Sequence, residues 1–212
     1  MGSVVKRRIR VSSDMVVYFL SLFVLFGCAT TQTQSTSEIA ALRDAREKAS
    51  THYFKNVSSR EVEQAIVNLF KLLDEKDVDF DLRKNKILVS RWWTYYAVFS
   101  VGWGKDFWEI ILTPDPGGVL VSAAFVSERN DGPFASRITT PFRENIAVGG
   151  NIHDGASVAD YYLLYRRIEY LLGRRDNWTT CEDARQFRGK SGEEIVLCDR
   201  IGIDDNSPLE NK

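Results

Sequence analysis

The chain has 212 residues, with 28 Lys and Arg against 29 Asp and Glu, and 44% of its side chains are hydrophobic. This length and composition are typical of one globular domain with appendages, and the formal net charge of −1 gives no reason to expect a nucleic-acid partner. Three cysteines cannot form a four-cysteine zinc site, and two histidines leave little room for a His-rich one. No metal or other cofactor is therefore predicted.

The first thirty residues have the order of an export signal. Basic residues come first (Lys6, Arg7, Arg8 and Arg10), and the apolar run Met15–Phe26 follows them. A helix of this length rises about 18 Å, which is short of the roughly 30 Å hydrocarbon core of a bilayer. A secretory signal over residues 1–27 therefore fits better than a transmembrane span, with an uncleaved anchor as the alternative.

The tetrapeptide Leu25-Phe26-Gly27-Cys28 ends this segment. It resembles the lipobox of bacterial lipoproteins, in which an aliphatic, a variable and a small residue precede Cys. The resemblance implies cleavage before Cys28, thioether diacylation of Cys28, and acylation of the new amino terminus by a fatty acid such as palmitate. It also implies a lipid-anchored envelope protein. Because Ala29 and not Asp follows the cysteine, the sorting rule of enterobacterial lipoproteins favours the outer membrane, facing the periplasm.

Two cysteines remain once Cys28 is acylated. Cys181 and Cys198 are an even pair in an exported and oxidising compartment, so we predict a disulfide between them. Such a bridge stabilises by roughly 3 kcal/mol in the chain-entropy model. Two unpaired thiols are the alternative, because spacing alone does not show that the geometry permits closure.

The polar segment after the lipidated cysteine, residues 28–37, is predicted to be a flexible tether. Residues 38–57 are predicted to be a helix with a thin apolar stripe, followed by a linker. A better specified helix starts with the capping box of Ser58 and Glu61 and has apolar residues at helical spacing up to Leu73.

Four strands are predicted next from alternation and turn residues, at Val78–Leu82, Ile87–Trp93, Phe107–Thr113 and Val119–Val126. The last long helix begins at Ser157 and stops at Gly173, and a short helix after Thr180 carries Cys181. Ile195–Leu197 is predicted to be a brief final strand, and residues 204–212 a disordered tail. Residues 58–203 are thus predicted to form one α+β domain, a four-stranded antiparallel meander with two main helices on one face.

This arrangement of a lipobox, a tether and helices over an antiparallel sheet is loosely similar to the helix-grip domains of the BamC accessory lipoproteins of the outer-membrane assembly machine. The similarity is one of architecture, and no functional residue is carried over from that family.

Catalytic motifs are missing from the sequence, so the protein is predicted not to be an enzyme. His153 and Asp154 are adjacent but lack a neighbouring nucleophile in sequence. An envelope hydrolase that uses His153 is kept as a minor alternative.

Two features of the sequence are more than the packing of a hydrophobic core requires. The first is a run of aromatic residues, which together with two phenylalanines of the long loop Glu128–Ala156 gives a candidate binding surface: Trp92, Trp93, Tyr95, Tyr96, Trp103, Trp108, Phe134 and Phe142. Core packing of these rings is the alternative. The second is the loop Glu128–Ala156 itself, because long connections without periodicity tend to be functional or disordered, with a pinned surface loop as the alternative. Arginines also gather in and after the last helix, at Arg166, Arg167, Arg174 and Arg175. Solvated charges at a helix C-terminus are expected there, with a site for an anionic lipid or polymer as the alternative.

These observations favour a non-catalytic interaction or accessory protein of the cell envelope, bound to the membrane through its N-terminal lipid and to an envelope protein through its folded part. The alternative is a periplasmic module that binds a small ligand or a lipid in a cavity lined by Trp and Tyr.

Overall fold

Antiparallel strand pairing organises the part of the chain that the computed structural model describes, which is residues 36–73, 76–97, 100–130, 142–147, 155–187 and 195–198. Its strands are β1 (Thr51–Lys55), β2 (Val78–Arg83), β3 (Lys86–Ala97), β4 (Ser100–Asp115) and β5 (Gly118–Asn130). Its helices are α1 (Thr36–Ala49), α2 (Ser59–Leu73), α3 (Val158–Leu171) and α4 (Cys181–Arg185).

The five strands form one sheet in the order β1-β5-β4-β3-β2, with every neighbouring pair antiparallel. The α+β class and the meander from β2 to β5 are confirmed. The predicted count of four strands is wrong, because β1 pairs with β5 and adds a fifth strand at the edge. β1 lies in the range 38–57 that was expected to be a helix and a linker.

The core lies between helices α2 and α3 and one face of the sheet, which we call the helix face. Alternate strand residues point to this face, and its most buried members include Phe54, Ile87, Val89, Trp108, Ile110, Leu112, Val119, Val121, Ala123 and Phe125. The apolar stripe of α2 and the buried residues of α3 belong to the same cluster, so both helices pack on this face. The other side of the sheet is called the opposite face.

Helix ends follow local sequence signals. The predicted starts of three helices each carry reciprocal cap hydrogen bonds, made by Ser58 with Glu61, Ser157 with Asp160, and Thr180 with Asp183. The predicted stop of α3 is also present, since Gly173 follows with a φ of 68°, a conformation that favours glycine.

The C-terminal segment 195–198 is held to the domain at three points. The predicted disulfide between Cys181 and Cys198 is present. The Leu197 N–H donates to Asp160 Oδ1 at 3.1 Å, and the Arg91 Nη2 donates to the Val196 carbonyl at 3.1 Å. The expectation of a strand at Ile195–Leu197 is wrong: this segment is a turn, and side chains satisfy its backbone groups instead of a neighbouring strand.

The N-terminal signal, most of the tether and the tail 204–212 lie outside the described residues. Among the helices that the structure does describe, none combines the length and the apolar character needed to cross a bilayer.

Candidate functional site

The β3–β4 hairpin extends beyond its neighbours at one end of the sheet. β2 pairs with β3 as far as Arg91, and β5 pairs with β4 as far as Trp103, whereas β3 and β4 continue to pair with each other up to Ala97 and Ser100. Among the described residues, 95–97 and 100–102 therefore have only each other as strand partners, and we call them the hairpin arm. The arm and its base carry most of the aromatic run in the sequence.

Trp93 fixes the base of the arm on the helix face. Its indole ring lies directly over Gly104, the residue opposite it in β4. A Cβ atom at position 104 would fall 1.8 Å from Cζ2 of Trp93, so only glycine allows this contact. The ring therefore packs onto bare backbone across the strand pair.

Asp106 is the polar centre of this base. Its carboxylate is almost fully buried and accepts hydrogen bonds from Trp93 Nε1 at 2.9 Å and from Ser127 Oγ at 2.7 Å. Arg91 lies 3.7 Å away as a counter-charge and also binds the Val196 carbonyl. Because a buried carboxylate requires such partners, this cluster ties β3, β4, β5 and the C-terminal segment together beneath the arm.

The opposite face carries a second set of groups at the same level. Lys105 is only 4% exposed, and its Nζ lies 4.9 Å from the ring centre of Trp92 and 5.4 Å from that of Phe107. These distances are within the range of cation–π contacts. Trp103 is 41% exposed and thus presents a large apolar side chain to solvent at the start of the arm.

The structure places the residues of the candidate aromatic surface in different environments. Trp108 is 2% exposed and packs against Phe70, Phe125 and Tyr161 in the core, so it does not belong to a surface. Trp92 and Trp103 lie at the base of the arm on the opposite face, whereas Trp93 lies there on the helix face. The backbones of Tyr95 and Tyr96 lie in the arm, opposite Gly102 and Val101, but their side chains are outside the described part, as is Phe134.

Phe142 belongs to a short segment that crosses the opposite face, residues 142–147. Its neighbour Arg143 pairs with Glu128, Glu144 pairs with Arg83 at 2.6 Å, and the Ile146 N–H donates to Glu109 Oε2 at 2.9 Å. Since these partners lie on three different strands, β2, β4 and β5, the segment crosses the sheet, and we call it the strap. Leu88, Phe107 and Ala124 are buried on this face, so it is not one continuous bare aromatic surface.

A groove lies on the helix face beside β1. Its volume is about 250 Å³, and it is lined by residues of α1, β1 and α3 and by Phe187 just after α4, among them Ala49, Thr51, His52, Tyr162, Arg166 and Phe187. His52 stacks on Tyr165 and lies 3.1 Å from Glu169, and burial lowers the pKa of its imidazole despite that carboxylate. His153 and Asp154, the His–acid pair of the sequence, lie outside the described residues.

The arginines differ from the expectation of solvated charges. Arg167 is completely buried, donates through Nε to the Thr179 carbonyl at 3.0 Å, and stacks over Trp178 with 4.7 Å between guanidinium and ring. Arg174 is exposed and Arg166 and Arg175 are partly so, and the latter two face Glu169. Sequence reasoning also missed Arg91, Lys105 and Asp106, whose roles depend on strand register.

Within the described ranges, no three His, Cys, Asp or Glu side chains lie together so as to hold a metal ion. The arrangement offers aromatic rings, a buried polar base and an apolar groove, which are groups suited to binding. Comparisons of the chain with protein-family models, with curated proteins and with solved structures found no match, so the case for a function rests on these residues alone.

Proposed function

We propose that this protein is a bacterial lipoprotein that acts as a non-catalytic interaction or accessory protein of the cell envelope. In this proposal Cys28 carries the lipid, the anchor lies in the outer membrane, and the folded domain faces the periplasm. The lipobox-like tetrapeptide, the preceding signal-like segment and the polar tether support this order of parts. The disulfide supports export, because such bonds persist in oxidising compartments.

The observation that carries the interaction role is the hairpin arm with Trp103 exposed at its base. Tryptophan is enriched among the residues that dominate binding energy at interfaces, so an exposed tryptophan at a fixed position is a candidate contact for a partner. The buried cluster around Asp106 holds the base of the arm in one geometry, so that a partner need not order it.

The described groove supports the alternative of a ligand carrier less well. Its volume of about 250 Å³ is below the roughly 300–1,000 Å³ typical of small-molecule sites. The core cluster beneath the helices is filled by apolar side chains.

Site-specific photo-crosslinking in cells tests the interaction role. A photoreactive phenylalanine at position 103 of the full-length chain should give one discrete adduct with an envelope protein. Position 111 is the matched control, because Ile111 lies in the same strand and on the same face and is equally exposed, at 41%. Adducts that are absent at both positions, or identical at both, would contradict the role of the arm.

A further inference from the structure

The hairpin arm lies within a stretch of sequence that has no charged residue. From Trp92 to Gly104 the chain contains no Asp, Glu, Lys, Arg or His, and six of these residues are Trp, Tyr or Phe. The charged residues that flank the stretch are engaged in the base of the arm: Arg91 lies 3.7 Å from Asp106, and the Lys105 Nζ lies 4.9 Å from the ring centre of Trp92. Both faces of the arm are therefore uncharged.

The other two hairpins of the meander differ in this respect. Their turns lie at the other end of the sheet and carry charged residues, Arg83, Lys84 and Lys86 at one and Asp115 at the other. Charged side chains, lysine above all, are a common means of keeping exposed strands from pairing with other strands in water. The two strands of the arm have only each other as partners among the described residues and carry no such charge. This composition suits surroundings other than bulk water.

The interface of a lipid bilayer provides such surroundings. Trp and Tyr are enriched at the level of the lipid head groups, where the ring is in apolar surroundings and its polar group remains hydrated. An element that enters this layer is surrounded by lipid, so both of its faces must lack charge. Binding to the surface of another protein requires this of one face only. The composition of the arm therefore favours a bilayer over a protein as its surroundings.

The length of the arm fits the depth of this layer. Its three residue pairs (Tyr95–Gly102, Tyr96–Val101 and Ala97–Ser100) extend about 10 Å at roughly 3.4 Å per residue. Interfacial elements bury themselves about 5–10 Å into the boundary between head groups and acyl chains. Deeper insertion is unfavourable, because the outer backbone N–H and C=O groups of the two strands would lose water without gaining partners. The arm is thus long enough to enter the interface and unsuited to crossing the bilayer.

We propose that the hairpin arm enters the head-group region of a lipid bilayer and gives the protein a second contact with the membrane, besides the lipid on Cys28. The inference rests on the proposed function in one respect, since the proposed anchor keeps a bilayer within reach of the domain. Trp103 and the rest of the base stay at the surface of the domain, where the envelope protein partner is proposed to bind. The buried cluster around Asp106 holds the arm, so this second contact fixes the orientation of the domain to the membrane.

Photo-crosslinking to lipid tests the proposal. The mature protein, purified from membranes with a photoreactive phenylalanine in place of Tyr95, is reconstituted into vesicles of phosphatidylethanolamine and phosphatidylglycerol and irradiated. Its intact mass should increase by that of one phospholipid. The same probe at position 111 should give no lipid adduct, because Ile111 is 41% exposed but lies near the other end of the sheet. Vesicles of phosphatidylcholine should give the same result, since the arm has no charge with which to recognise an anionic head group.

Paired charge variants separate insertion from mere proximity. Tyr96→Asp/Val101→Asp places two carboxylates in the arm and should lower the adduct yield at position 95 about tenfold, because ionised groups resist transfer out of water. Ile111→Asp/Leu120→Asp adds the same charge at two exposed positions of the sheet and should leave the yield unchanged. Near-ultraviolet circular dichroism checks that both variants keep the native fold.

Failure of the anchor and failure of this proposal are distinguishable in the same mass spectra, because the acyl chains on Cys28 are measured together with the adduct. Acylated protein without a lipid adduct at position 95, or with equal adducts at positions 95 and 111, would overturn the proposal. An adduct that requires phosphatidylglycerol, or one whose yield is unchanged in Tyr96→Asp/Val101→Asp, would do the same. Adducts between protein chains in place of lipid would show that the arm binds a protein and would also overturn it. A lipid adduct at position 95 in protein without acyl chains would support the contact of the arm and refute the anchor.

Discussion

Buried charged side chains determine much of the local order in this protein. The fully or nearly fully buried ones are Arg46, Lys105, Asp106, Glu109, Asp160 and Arg167. A charge removed from water is costly unless hydrogen bonds and counter-charges replace its hydration, so each of them constrains the groups around it. Asp160 is the clearest case, because one carboxylate accepts from Ser157 at the start of α3 and from Leu197 near the chain's C-terminal part.

The contact between Trp93 and Gly104 gives a first prediction. Gly104→Ala should displace the indole ring, break its hydrogen bond to Asp106 and lower the free energy of unfolding by about 2 kcal/mol, a typical cost of overpacking. Urea denaturation measures the loss. In a Trp93→Ala background the same Gly104→Ala exchange should cost little, since no ring remains to be displaced, and an equal cost in both backgrounds would contradict the contact.

Asp160 gives a prediction on pH. Burial raises the pKa of its carboxyl from 3.8 to about 6, against the opposing effect of the hydrogen bonds it accepts. The folded state thus holds the proton more tightly than the unfolded state. The stabilisation of the folded state that this pKa difference provides is fully present below about pH 4 and is lost as pH rises through about 6. Over this range its loss lowers the free energy of unfolding by about 3 kcal/mol.

The variant Asp160→Asn cannot titrate at this position, so it isolates that contribution. The free energy of unfolding of the wild type minus that of the variant should decrease between pH 4 and pH 6.5, measured by urea denaturation at several pH values. His52 and the other titrating groups are common to both proteins and cancel in the difference. A difference that is constant or grows with pH would refute the raised pKa.

Elements were predictable from sequence where their signals are local. The capping residues Ser58, Ser157 and Thr180 each mark a helix start within four residues of chain, and two turns rich in Pro, Gly and Asn separate the meander strands. β1 was missed because its five residues bury only Phe54 completely, so no alternation stands out. Its place is set by β5, about 65 residues later in the chain.

The polar base of the hairpin arm was unpredictable for a related reason. Asp106, Arg91 and Ser127 are charged or small polar residues on three strands, and nothing in sequence distinguishes them from residues of a solvated face. Only the register, which sets Arg91 opposite Asp106 and Asp106 opposite Ser127, brings them together. The aromatic residues were recognised as a group, but not that Trp108 belongs to the core.

The disulfide holds the C-terminal segment 195–198 to the domain, in the way that hydrogen bonds to a neighbour hold a strand in its sheet. The bridge joins residues 17 apart, and in the chain-entropy model a loop of this length contributes about 3 kcal/mol. Replacing both Cys181 and Cys198 by Ser should lower the free energy of unfolding by about that amount. Hydrogen exchange at Leu197 should quicken more than exchange at Val121 in β5, and equal changes at both would show that the bridge does not act locally.

In the molecule as a whole, a rigid sheet presents two different surfaces. The hairpin arm continues the central strands past the end of the sheet, whereas the β1 edge lies along its side. The helices cover the helix face of the sheet, and the strap of residues 142–147 crosses the opposite face. Such a body presents the hairpin arm without a change of fold, which is what the proposed interaction role requires.

The lipid anchor is the prediction on which the location of that assembly depends. Wild-type protein extracted from membranes should have an intact mass that lacks residues 1–27 and includes acyl chains on Cys28, since several chains together hold a protein stably to a bilayer. Cys28→Ser should remove the acyl chains and shift the domain out of the detergent-solubilised membrane fraction. The Cys181→Ser/Cys198→Ser variant is the matched control, because it also loses cysteines and should keep the anchor. A wild-type mass that still contains Met1 and carries no acyl chain would remove the basis for placing the domain in the periplasm, whereas the role proposed for the hairpin arm is decided by its own crosslinking test.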